Sequence, residues 1–121
     1  LISPAALACF YGAIANDGIY HPLTLNMGQT LEEDEIMSLG SARWIQEALR
    51  EGMHVWYGDA LDGWGKTGTA EVGDGTDHAW FVCCLDDPEI VIVTMLAGGG
   101  SSQRALDITT EFVNCYVREV E

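Results

Sequence analysis

The chain has 121 residues, 48% of them hydrophobic, with 19 acidic against 5 basic side chains and a formal net charge of −14. This length and apolar content suit a single folded domain with a modest core and exclude a disordered chain. The charge argues against nucleic acid or an anionic membrane surface as a partner. No apolar run approaches the ~20 residues of a membrane span, since Ile90 to Ala97 has only strand length.

The first element is a helix. Ser3 can cap it and Pro4 suits the first helical position. Leu7, Phe10, Tyr11, Ile14 and Ala15 follow at helical spacing, and Asn16-Asp17-Gly18 ends the run. Its aromatics are read as core. Residues 19–25 alternate enough for a short extended piece broken by Pro22, with His21 as a surface residue lacking a visible partner. The charge run Glu32-Glu33-Asp34-Glu35 reads as solvated.

From Ser41 a second helical pattern places Trp44, Ile45, Ala48, Leu49, Gly52 and Met53 on one face, and Gln46, Glu47, Arg50 and Glu51 on the other. His54, where this helix ends, is read as a packing residue. Residues 58–63 form a loop. Strands are expected over roughly 64–71, 78–86 and 89–97, in antiparallel order, with Ile90 to Leu96 buried on both faces. A last helix near 102–119 carries Ala105, Ile108, Thr109, Phe112, Val113, Tyr116, Val117 and Val120 on its apolar face. The fold class is therefore α/β (α+β), one unit of three antiparallel strands with helices packed on them.

The chemistry concentrates in Gly63-Trp64-Gly65-Lys66-Thr67-Gly68-Thr69-Ala70-Glu71, which holds the only lysine. A cation, two hydroxyls and bare backbone on one strand suit an anionic, peptide-like ligand. Gly-Lys-Thr also ends the phosphate-binding P-loop, but the glycine that motif needs at position 60 is Ala60, and no helix start follows. The four cysteines, Cys9, Cys83, Cys84 and Cys115, show no Cys-x-x-Cys spacing, so a zinc site from His78 and the vicinal pair is not expected. Adjacent cysteines on a strand point to opposite faces, and both are read as small core residues. No metal or cofactor is expected.

Lys66-Thr67-Gly68, within Gly65 to Glu71, is followed by His78-Ala79-Trp80-Phe81-Val82 and preceded by Ser3-Pro4 and Ala15-Asn16-Asp17-Gly18. In this order the blocks resemble the C-terminal part of a penicillin-binding serine D,D-transpeptidase domain, over nearly the whole of 1–121. The resemblance implies three motifs meeting in one cleft: Ser-x-x-Lys for the nucleophile, Ser-x-Asn for proton transfer, and Lys-Thr-Gly as the far wall. Only the third is present. Position 63 is Gly63, and none of Asn16, Asn26 and Asn114 has serine two residues before it. The chain alone is therefore expected to be inactive.

By that resemblance, Lys66 supports proton transfer at the serine, while Thr67 and Thr69 bind the carboxylate of a stem peptide or β-lactam. The Thr69 backbone N–H serves the oxyanion hole, and Gly68 keeps the strand open to an added substrate strand. Trp80 and His78 are read as structural supports. The implied partners are peptidoglycan stem peptides, β-lactams and the remainder of the transpeptidase domain, and self-association of the fragment is expected from uncovered apolar surface. The start without Met or a basic leader suggests a piece of a longer protein, and the resemblance implies a parent anchored upstream and acting on the extracytoplasmic face of the bacterial membrane. The alternatives are a β-lactam sensor or inactive homologue, a serine β-lactamase, and a binding module unrelated to cell-wall chemistry.

Overall fold

A computed structural model describes residues 2–73 and 75–120, with side chains as far as Tyr116. The elements are α1 (Pro4–Ala15), β1 (Ile19–Tyr20), β2 (Asp34–Glu35), α2 (Leu39–Tyr57), β3 (Gly63–Ala70), β4 (His78–Asp86), β5 (Glu89–Leu96) and α3 (Gln103–Val120). β3, β4 and β5 form an antiparallel sheet in chain order, and β1 pairs with β2 in a separate two-stranded ribbon. The expected strands and terminal helix all form. The ribbon is an addition: the whole charge run is exposed, as expected, and its second half also forms β2.

Local chemistry explains the boundaries. Ser3 Oγ accepts from the Ala6 N–H, closing the start of α1. The helix ends where Gly18 adopts φ 99° and its N–H bonds Ala13 O, a geometry that glycine alone takes easily. A side chain at Gly18 would also collide with the Met37 carbonyl. α2 starts earlier than its apolar pattern does, at Leu39, because Ser38 caps it through the Ser41 N–H.

The sheet separates two clusters. On one face Ile14, Trp64 and Cys84 are buried together, with Tyr11, Ile45, Leu49 and Val91 packed on them. On the other, Phe81, Ala79, Cys83 and Leu85 meet Ala105, Leu106 and Val113 of α3, together with Met53 and Tyr57. α2 thus contributes to both, its middle to the first cluster and its last turn to the second. Gln46 Nε2 donates to Ile14 O at 2.6 Å, tying α2 to the end of α1. The vicinal cysteines divide as expected, one to each face, and both are buried. Thr109, the one buried polar residue among those described, donates to Ala105 O and pairs with the Thr94 hydroxyl.

Several expectations about packing need correction. Trp44 is 69% exposed, and Phe10, Ile108 and Phe112 are exposed as well. The helices touch the sheet along narrower stripes than a 3,4 pattern suggests, so residues at the stripe margins face outward. β5 is half-buried rather than covered on both faces, being an edge strand. His54 does not pack; it is exposed and lies 3.1 Å from the Asp59 carboxylate. His21 has partners after all, Asn16 at 2.7 Å and Glu33 at 3.5 Å. The expectation for Val117 and Val120 lies outside the described side chains.

Candidate active site

Among the described residues β3 pairs only with β4, so its other edge has no strand partner there. The register sets Lys66 opposite Val82, Thr67 opposite Phe81, Gly68 opposite Trp80 and Thr69 opposite Ala79. Since side chains alternate along a strand, Lys66 and Gly68 share the face of Trp80, while Thr67 and Thr69 share that of Phe81. The four candidate residues therefore meet along one strand edge but are divided between its two faces.

The face of Lys66 borders an apolar groove of about 700 Å³. Its walls are β3 and β4 on one side, with Gly68, Trp80 and His78, and on the other α1, with Leu7 and Tyr11, and Ile2 just before it. Tyr11 stacks on Trp64 at 6.2 Å, which holds α1 against the strand carrying Lys66. Burial, and secondarily the neighbouring Cys84 thiol, raise the pKa of the Tyr11 hydroxyl, so it stays protonated.

Lys66 is exposed, and its Nζ donates to the carbonyl oxygen of Thr67 at 2.9 Å. Among the described residues it forms no ion pair, although the chain carries 19 carboxylates. Arg43 and Arg50, by contrast, pair with Asp17 and Asp86. Thr69 is exposed on the strand edge. Thr67 is half-buried, and its hydroxyl is hydrogen-bonded to that of Tyr57, the last residue of α2.

The glycines act differently from one another. A side chain at Gly65 would run into the carbonyl oxygen of Val82, so β3 can approach β4 closely only with glycine there. At Gly68 an added Cβ would lie 3.7 Å from the Trp80 Cβ, an ordinary contact, and would protrude on the groove face. His78 Nδ1 accepts from the Gly98 N–H at 3.0 Å, and Gly100 N–H donates to Asp77 O at 3.0 Å. These bonds clasp the loop before β4 to the loop after β5. His78 thereby ties two loops together, with its Nδ1 as the acceptor.

Sequence reasoning missed two contributors. Tyr57 sits one helical turn after Met53, and nothing in its spacing marks it as a partner of Thr67. The groove wall from α1 depends on how the helix lies across the sheet, which periodicity does not encode.

The model of the penicillin binding protein transpeptidase domain matches residues 1–116. The chain belongs to that family. The transpeptidase-domain fold is also that of penicillin-binding protein A from M. tuberculosis, solved as its imipenem acyl-enzyme complex, at 22% identity and a TM-score of 0.67. That match covers 92% of this chain and 31% of the other. Pseudomonas aeruginosa PBP2 in complex with WCK 5153 is similar at 22% identity and a TM-score of 0.65, over 91% of this chain and 30% of its own. No curated protein matches. This transpeptidase-family chain thus spans under a third of the solved chains it resembles.

Proposed function

We propose that the chain is the C-terminal portion of a peptidoglycan D,D-transpeptidase domain and supplies one wall of its active site. In this reading the parent protein cross-links stem peptides on the extracytoplasmic face of the bacterial membrane and is acylated by β-lactams. Lys66 stands beside the serine that becomes acylated and eases its proton transfer electrostatically. Thr69 offers its backbone N–H to the developing oxyanion and its hydroxyl to the ligand carboxylate, with Thr67 beside it. Gly68 leaves room for a peptide to add along the strand edge. The nucleophile and the Ser-x-Asn motif come from sequence outside this chain.

The observation that carries the reading is the Lys66 ammonium, which forms no ion pair among the described residues, on a strand whose second edge no described strand covers, beside an apolar groove. A cation that has only a backbone carbonyl, and no carboxylate among the described residues, as partner in so acidic a chain suits an anionic ligand lying along the edge. The test is labelling with a fluorescent penicillin followed by intact-mass measurement. The full-length protein should gain one adduct on a serine outside residues 1–121, and the separate chain none. An adduct on any of the five serines of this chain would overturn the assignment. Cross-linking of lipid-linked peptidoglycan by the full-length protein separates a transpeptidase from a β-lactam sensor, which would be acylated without cross-linking. Self-association of the separate chain is part of the same reading, and light scattering tests it.

A further inference from the structure

The hydroxyl of Thr67 is bonded to that of Tyr57, and the position of Tyr57 is not set by Thr67. The Tyr57 ring lies edge-on to the buried Phe81, with centroids 6.5 Å apart and planes at 72°, beside the cluster that holds Met53. The core thus fixes the phenol oxygen in place. Each hydroxyl has one proton to donate and two lone pairs to accept with. The phenol is the stronger acid, so the favoured arrangement has Tyr57 donating and Thr67 Oγ1 accepting. The Thr67 proton is then free for an acceptor lying along the edge of β3 that no described strand covers.

We infer that Tyr57 is a positioning residue for the ligand wall: it fixes the Thr67 side chain and polarises its hydroxyl for donation to a ligand carboxylate. Chained hydrogen bonds strengthen one another, so a donor behind Thr67 makes Thr67 a better donor in front. Threonine has few side-chain rotamers, and the bond to Tyr57 selects among them. The inference rests on the reading of β3 as the ligand wall.

A double-mutant cycle in the full-length protein tests it. Reversible binding of a fluorescent penicillin and the acylation step that follows are measured separately for the parent, Tyr57→Phe, Thr67→Val and the double variant. Tyr57→Phe keeps the ring against Phe81 and removes only the hydroxyl. Thr67→Val should weaken binding about tenfold or more, and Tyr57→Phe about three- to tenfold. The double variant should bind no worse than Thr67→Val alone, and Tyr57→Phe should leave the acylation step within about twofold of the parent. If the two losses multiply, or if Tyr57→Phe binds like the parent, the inference is overturned while the reading of the strand stands. If Thr67→Val and Lys66→Ala both behave as the parent does, the reading of the strand fails, and the inference with it.

Discussion

The ring of Tyr11 lies over that of Trp64 at 6.2 Å, with an interplanar angle of 20°. One ring belongs to the first helix and the other to the strand of Lys66, two residues before it. Trp64 is almost wholly buried, so this stack joins one wall of the groove to the other.

Removing the larger ring should therefore affect both the fold and the groove. Trp64→Ala is expected to destabilise the full-length protein by about 3–5 kcal/mol, the usual cost of deleting a buried aromatic side chain. Denaturant unfolding measures it, and a loss below about 1 kcal/mol would show that the site collapses around the missing ring.

In the full-length protein, Lys66→Ala should slow acylation by penicillin ~10²–10⁴-fold, about 3–5 kcal/mol of barrier, with a smaller effect on initial binding. Lys66→Arg keeps the charge but presents a planar, permanently protonated group, and should restore little. Thr69→Ala keeps its backbone N–H and should cost about 1.5–3 kcal/mol, felt mainly in binding. Transient kinetics on the three variants decide; near-parent acylation by Lys66→Ala would reduce Lys66 to a surface residue.

Two glycines three residues apart should respond in opposite ways. Gly65→Ala places a methyl group against the Val82 carbonyl oxygen and should cost about 1–3 kcal/mol in stability as β3 moves off β4. Gly68→Ala meets only an ordinary contact with Trp80 and should shift stability by about 0.5 kcal/mol or less. Its methyl group intrudes on the groove face instead, so its loss should appear in ligand binding. Thermal unfolding and β-lactam titration of both variants separate the two effects.

The paired thiols give a pH dependence. Burial, then the Asp86 carboxylate, push Cys83 up from 9.0 to about 12, and Cys84 is raised in the same direction by burial, Cys83 and Asp86. A raised folded-state value means that the folded chain holds protons that the unfolded chain releases above pH 9.0. Their contribution is present in full below that pH and is lost as pH rises from there toward 12, with a slope of about 1.4 kcal/mol per pH unit for each thiol. Cys83→Ala should flatten the alkaline limb of a stability–pH curve. At pH 8, iodoacetamide should modify exposed Cys115 and spare both buried thiols, as read by mass; alkylation of Cys83 in the native state would contradict their burial.

Much of this was legible in the residues. Strand and helix periods located the sheet and two of the helices within a residue or so, because β3, β4 and β5 alternate or run apolar between clear turn signals. The ordered blocks from Ser3-Pro4 to His78-Ala79-Trp80 identified the family. What escaped were relations across the fold. Ser38 moved the start of α2 ahead of its apolar pattern, since a cap acts on orphaned N–H groups rather than on hydrophobic spacing. Trp44 lies outward because α2 contacts the sheet along a narrow line. The Tyr57–Thr67 bond joins the end of a helix to the middle of a strand, and local spacing has no means of recording such a meeting.

That Lys66 forms no ion pair among the described residues has a further consequence, for the way a ligand arrives. The whole chain carries a net −14, so from a distance a carboxylate-bearing molecule meets repulsion, and only close to β3 does the single ammonium reverse the sign. The two fields have different reach. Added salt shortens the screening length from about 30 Å at 0.01 M to about 10 Å at 0.1 M, suppressing the long-range repulsion more than the contact at Lys66. An anionic β-lactam should therefore associate faster as ionic strength rises through that range, and a zwitterionic one should respond less. On the reading proposed for β3, the acidic surface is then a kinetic filter, slowing the entry of the anionic ligands that Lys66 is proposed to hold.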